Sequence, residues 1–256
     1  MKKSLSAQAI ARFHRDGYLI IPHWVTGSQL ETLQRVAINA LALPQQPLEL
    51  EAELGYPGSP SSTDKMGGDT VRRLQGAYQR NQQWQQWARS PEMKKVLQQL
   101  FDNPHILLSQ AHHNCLMTKS PKHSSDTGWH QDTRYWSFEQ PRLINSWLAL
   151  GKEQPQNGGM WVIPGSHRLS FTEQQFDAAV FFREDMGINK PLINQATPVL
   201  LEPGDLLLFD ARLLHKASRN LTDRTKYSLV FTYHDSSNHP LSGSRSSALP
   251  EIDLGS

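Results

Sequence analysis

The stretch Gly128-Trp129-His130-Gln131-Asp132, answered far downstream by His215 in Leu213-Leu214-His215, constrains this chain more than any other feature. Side chains two apart on a strand point the same way, so His130 and Asp132 can reach one point while Gln131 faces away. His215 must then arrive from a distant strand, which requires a sheet folded back on itself. Two imidazoles and one carboxylate can occupy one face of an octahedral metal and leave the other face open to small ligands. That is the ligand pattern of non-haem Fe(II) sites.

The rest of the chain limits what such a site could serve. With 256 residues it is long enough for one large domain or two small ones, and about three-quarters of its unfolded surface can be buried. Lys and Arg number 26 against 24 Asp and Glu, with no dense basic run, which argues against nucleic-acid binding. A single cysteine, Cys115, excludes an intrachain disulfide framework and fits a reducing compartment. It lies in an apolar stretch and reads as a packed thiol. The opening residues lack an unbroken apolar core for a signal peptide, and no stretch approaches the ~20 apolar residues needed to span a bilayer. A cytoplasmic protein is expected, acting on a small molecule, with no membrane association and no obligate protein partner readable.

Along the chain, Ser6 to Arg15 reads as a capped helix stopped by Asp16-Gly17, and Tyr18-Leu19-Ile20-Ile21 as a short buried strand. Thr26 to Leu43 has apolar residues at helical spacing. Pro44 to Gly68 is rich in Pro, Gly and Ser and reads as a long loop, a lid candidate. Val71 to Tyr78 suggests a strand, and Gln82–Arg89 and Pro91–Leu100 suggest helices. From His105 the texture changes to short apolar runs between turns: 106–117, 143–150, 160–163, 197–201, 206–209 and 226–234. Ser170 to Phe182 reads as a helical insertion in this run. Helices first and many short strands afterwards predict a mainly β fold, a sandwich or barrel with flanking helices. The expected organisation is one domain over residues 1–235, with a helical part at 1–104 and a β core at 105–235. Residues 236–256, polar and short of apolar anchors, read as a tail or loop.

Several segments together resemble the phytanoyl-CoA dioxygenase family of Fe(II)/2-oxoglutarate oxygenases. They are Phe13-His14-Arg15-Asp16-Gly17-Tyr18, Trp129-His130-Gln131-Asp132, the run from Asn157 to Arg168 (Asn-Gly-Gly-Met-Trp-Val-Ile-Pro-Gly-Ser-His-Arg), Glu202-Pro203-Gly204-Asp205 and Leu214-His215. The resemblance implies a double-stranded β-helix (jelly-roll) core with Fe(II) held by His130, Asp132 and His215. It implies 2-oxoglutarate and O2 as cosubstrates, with release of succinate and CO2 as a substrate C–H bond is oxidised. Asp132 as a true carboxylate disfavours a halogenase, in which a small residue stands at that position. The family's usual arginine for the far carboxylate lies eleven residues after the second histidine, and here that position is Lys226. Arg224, two residues earlier, offers the bidentate grip a lysine lacks, so both are candidates, with Arg224 preferred on chemistry.

Asn114 and Lys119 are further candidates for the cosubstrate, each with a bland counterpart as a strand polar group or a solvated turn residue. Candidates for the substrate are Arg72, Arg73, His112, His113, Tyr135, Trp136 and Trp147, near the triad strands or the long loop. Strand alternation would allow only one of Arg72 and Arg73 to face a pocket. Trp129, Trp136, Trp147 and Trp161 suit core packing as well. The chemistry stays open between hydroxylation and desaturation, ring formation or epimerisation. A non-catalytic jelly-roll protein that binds a metal or ligand is the alternative. Nothing in the chain reads as a coenzyme A site.

Overall fold

The computed structural model describes residues 3–255. Two antiparallel sheets face each other, and helices cover the outer face of the larger one. The helices are α1 (Ala7–Asp16), α2 (Gly27–Ala42), α3 (Ala77–Arg80), α4 (Gln82–Ala88), α5 (Pro91–Phe101) and a short α6 (Lys190–Ile193). The strands are β1 (Tyr18–Ile21), β2 (Leu48–Leu50), β3 (Val71–Gln75), β4 (Ile106–Lys119), β5 (Thr127–His130), β6 (Ile144–Ala149), β7 (Met160–Val162), β8 (Thr197–Pro198), β9 (Leu206–Asp210), β10 (His215–Ala217), β11 (Lys226–Asp235) and β12 (Ile252–Asp253). The large sheet runs β1-β9-β6-β11-β4-β3-β2, with β12 also on β4, and the small one runs β5-β10-β7-β8.

Alternation explains the layering. Leu116, Leu148, Leu206, Leu208, Leu229 and Phe231 point outward and pack on helical residues such as Phe13, Leu33, Trp84, Met93 and Leu97. Their neighbours Cys115, Trp147, Leu207, Phe209 and Val230 point inward, against Met160, Val162 and Leu213 at the small sheet. As central strands covered on both faces, β6, β9 and β11 are buried along almost their whole length, polar residues included.

The helix signals act as expected. The Ser6 hydroxyl accepts from Ala9 N at the start of α1, and Gly17 ends it at φ 82°. Other expectations need correction. The described part of 1–104 holds α1 to α5 but is not helical alone, because β1 pairs with β9 and β2 and β3 extend the same sheet. Within the Pro44–Gly68 loop, β2 and a 3-10 turn over Glu51–Glu53 are ordered, and Glu51 is fully buried. The segment 170–182 is not an α-helix: it holds a 3-10 turn at Glu173–Gln175, and Phe171, Phe176 and Phe182 pack on one another instead. Nor is 236–256 loose where described. Ile252 and Asp253 pair with Leu108 and Leu107, and Leu254 is buried. Among the described residues, no helix is long and apolar enough to cross a membrane.

Candidate metal centre

His130 is the last residue of β5, and β10 places His215 directly opposite it. Asp132 does not share the strand. It opens a 3-10 turn, Asp132–Arg134, so the convergence comes from a strand end followed by a tight turn rather than from alternation. The Gln131 amide points away and donates to Arg212 O at 2.5 Å. The imidazole rings of His130 and His215 lie 4.1 Å apart. One ligand atom from each of His130, Asp132 and His215 falls within a 4.8 Å cluster that could hold a metal ion.

The donor chemistry suits a divalent cation. His130 Nδ1 donates to Gly128 O at 2.8 Å and His215 Nδ1 to Leu213 O at 3.0 Å, so each ring directs a bare Nε2 to the centre. Burial pushes the His130 imidazolium down to about 3, with His215 adding to the effect, and burial lowers His215 too. Both rings are therefore neutral and ready to donate electrons at neutral pH. Burial works against the Asp132 carboxylate, but His113 and His215 override it and hold the carboxyl below its usual range.

Residues behind the triad fix it in place. Asn145 Nδ2 donates to Asp132 Oδ2 at 2.7 Å, and its own Oδ1 accepts from Thr232 Oγ1 at 2.6 Å. His113 Nε2 lies 3.4 Å from the same carboxylate oxygen. Gly128 is needed for closeness: a Cβ there would meet the Phe181 ring at 3.0 Å. Phe181 in turn stands edge-on to His130 and to Tyr56.

The centre opens on a cleft of about 1370 Å³, lined by His130 and Asp132 at its head. Arg73, Tyr135, His112, His113, Asn114 and Trp136 line it as well. The His112 ring stacks on Trp136 at 4.5 Å and bonds Ser246 Oγ at 2.8 Å. Tyr135 donates its hydroxyl to Ala179 O at 2.8 Å. The Asn114 carbonyl accepts from Tyr78 N at 2.8 Å, so much of its role is to hold α3.

Arg72 and Arg73 follow the expected alternation, with only Arg73 facing the cleft. Both approach Glu49 Oε1, at 3.1 and 3.5 Å, but Arg72 is buried against Ser125 and Thr127 while Arg73 lines the cleft. Trp147 is not a cleft residue. It is buried in the inward core, donates Nε1 to Glu153 Oε1 at 2.9 Å and stacks under Lys226. Arg224 is exposed and bonds through its backbone: its carbonyl accepts from Asn220 and Thr222, and its N–H donates to Thr222 Oγ1. Lys226 points inward and is 3% exposed. Lys119 is likewise buried rather than solvated, and its ammonium donates to Ser125 O. Burial, with Arg72 nearby, drives its pKa well down.

Asn145, Thr232, Ser228 and Glu153 were not singled out from the sequence. The available signal was parity: Asn145, Ser228 and Thr232 fall on the inward face of buried strands, where a polar group has to be partnered.

The model of the phytanoyl-CoA dioxygenase (PhyH) family matches residues 13–228. This chain belongs to the phytanoyl-CoA dioxygenase family. Among curated relatives, ectoine dioxygenase of Sphingopyxis alaskensis is 26% identical over 91% of this chain and 77% of its own length. Phytanoyl-CoA dioxygenase domain-containing protein 1 of Bos taurus is 23% identical, over 90% and 89%. Among solved structures, EctD from S. alaskensis with 2-oxoglutarate and 5-hydroxyectoine superposes with a TM-score of 0.76 at 22% identity, covering 92% of this chain and 78% of that one. The epimerase SnoN, in complex with Fe3+, alpha ketoglutarate and nogalamycin RO, gives 0.73 at 20% identity, covering 95% and 93%. The jelly-roll fold of this family member agrees with these neighbours.

Proposed function

We propose that this family member is an Fe(II)/2-oxoglutarate-dependent oxygenase that oxidises a C–H bond of a small molecule bound in the cleft. The observation that carries the reading is the convergence of His130, Asp132 and His215 at the head of that cleft. Fe(II) at such a facial site would supply O2 activation coupled to breakdown of 2-oxoglutarate to succinate and CO2.

The protein's own groups supply the rest. His130 and His215 offer neutral Nε2 atoms, and Asn145 with His113 fixes which Asp132 oxygen remains for the metal. Tyr56, Tyr135 and Phe181 form an aromatic rim beside His130 that keeps bulk water from the reacting position. Arg73 turns a guanidinium toward the cleft near Asp132, with Glu49 as its carboxylate partner, and grips an anionic or carbonyl group of the substrate. The stacked pair His112–Trp136 gives a flat wall for a ring or an apolar segment. Residues 3–255 act as one domain, with Ile252 and Asp253 paired to β4 of the same sheet, and the lone buried thiol Cys115 suits a cytoplasmic setting.

Anaerobic titration of Fe(II)-loaded protein with 2-oxoglutarate tests the reading. A visible charge-transfer band of a chelated 2-oxo acid is expected, and it should vanish in His215→Ala. A band that persists in that variant would remove His215 from the site.

A further inference from the structure

Lys226 stands where a cation is expected to hold the far carboxylate of 2-oxoglutarate, yet it already has a carboxylate. Its ammonium lies 3.0 Å from Glu153 Oε2. Ser228 Oγ donates to Glu153 Oε1 at 2.5 Å, and Trp147 Nε1 reaches the same oxygen at 2.9 Å. Glu153 and Lys226 are 1% and 3% exposed, so water does not compete for these bonds. One cation and two neutral donors converging on two oxygens form a complete carboxylate receptor.

The receptor also sits at the right depth. Asn145 holds Asp132, and Trp147 lies two residues further along β6, about 7 Å on the same inward face. A five-carbon dicarboxylate chelated at the triad, met by a lysine stem, would cover that gap. Glu153 reaches the receptor from the β6–β7 connection, where its backbone is pinned both ways to Leu201. Only its side chain is free to leave.

We propose that Glu153 is a built-in competitor for the cosubstrate's far carboxylate, occupying the Lys226–Ser228–Trp147 receptor and setting the selectivity among 2-oxo acids. The inference rests on the iron and 2-oxo acid reading above. With Glu153 in place the receptor is neutralised, and a 2-oxo acid with an uncharged tail loses little against 2-oxoglutarate. With Glu153 withdrawn, Lys226 is left buried without a counter-ion, a costly state that a second carboxylate relieves.

The test compares 2-oxoglutarate with 2-oxopentanoate, which has the same chain length and no far carboxylate, by the anaerobic charge-transfer band of Fe(II)-loaded protein. Glu153→Ala should tighten 2-oxoglutarate by about tenfold or more, the scale of one charge-assisted hydrogen bond, with 2-oxopentanoate nearly unmoved. Glu153→Gln keeps the shape and one acceptor oxygen for Ser228 and Trp147 but loses the charge and the acceptor facing Lys226; it should shift selectivity the same way by a smaller factor, and decides the matter if the alanine variant does not fold. Unchanged or weaker 2-oxoglutarate binding in the folded variants would overturn the proposal and leave the iron site standing. Absence of a band with either acid in the wild-type protein would overturn both.

Discussion

The two ends of the jelly-roll interior are built on opposite principles. At the triad, donors converge with their lone pairs unspent: each histidine uses its outer nitrogen on a backbone carbonyl and keeps the inner one bare. At the Lys226 end every group is satisfied, with Glu153 answering three donors at once. An unspent set invites a ligand and tolerates its absence because neutral imidazoles cost little to bury. A closed set holds its shape without help and yields only to a competitor of its own kind. The same sheet therefore carries one site ready to bind and another that must first give something up.

Breaking the open end should have the largest effect. Asp132→Ala should lower metal affinity by well over a hundredfold, because deleting a ligand exceeds the 10–100-fold typical of residues behind a metal's ligands. Isothermal titration with Fe(II) or Mn(II) measures it, and near-normal affinity would dissolve the contrast. Asn145→Ala, which frees the Asp132 carboxylate to rotate, should weaken metal binding by roughly tenfold or more in the same titration. Thr232→Val should act in the same direction and more weakly, since it touches Asp132 only through Asn145. The smallest effect belongs to Arg224→Ala. Its side chain is exposed, so 2-oxo acid binding should stay within about twofold, and a larger loss would return the anchor to Arg224.

How much of this was legible beforehand follows from which interactions are local. Ser6 and Gly17 mark the ends of α1 because capping is decided within a few residues, and strand boundaries from Ile106 onward fell close to expectation. The triad was legible because metal ligation tolerates few residue types. The seating of Asp132 on a turn was not, since a strand and a strand end present the same His-x-Asp spacing. Phe171, Phe176 and Phe182 spoiled the helical reading of their segment by packing on one another across a long loop, a tertiary choice that no local propensity encodes. Arg72 and Arg73 kept to the alternation rule, with Arg73 alone toward the cleft, although Glu49 draws both guanidiniums from beside a register shift in the β2–β3 pairing. Glu153 could not have been paired with Lys226 from spacing, because the two are brought together only by sheet closure.

The strand order carries a consequence for synthesis. The large sheet joins Tyr18 to Phe209 and places β11, residues Lys226–Asp235, at its middle, between β6 and β4. A chain emerging from the ribosome thus carries β4 and β6 with no strand between them until residue 235 is out, and His130 without His215 for most of that time. Such long-range pairing is slow to form and leaves apolar edges uncovered meanwhile. The complete three-ligand pocket is thus a late product of folding, and a nascent chain has no means of capturing iron there before the barrel has closed.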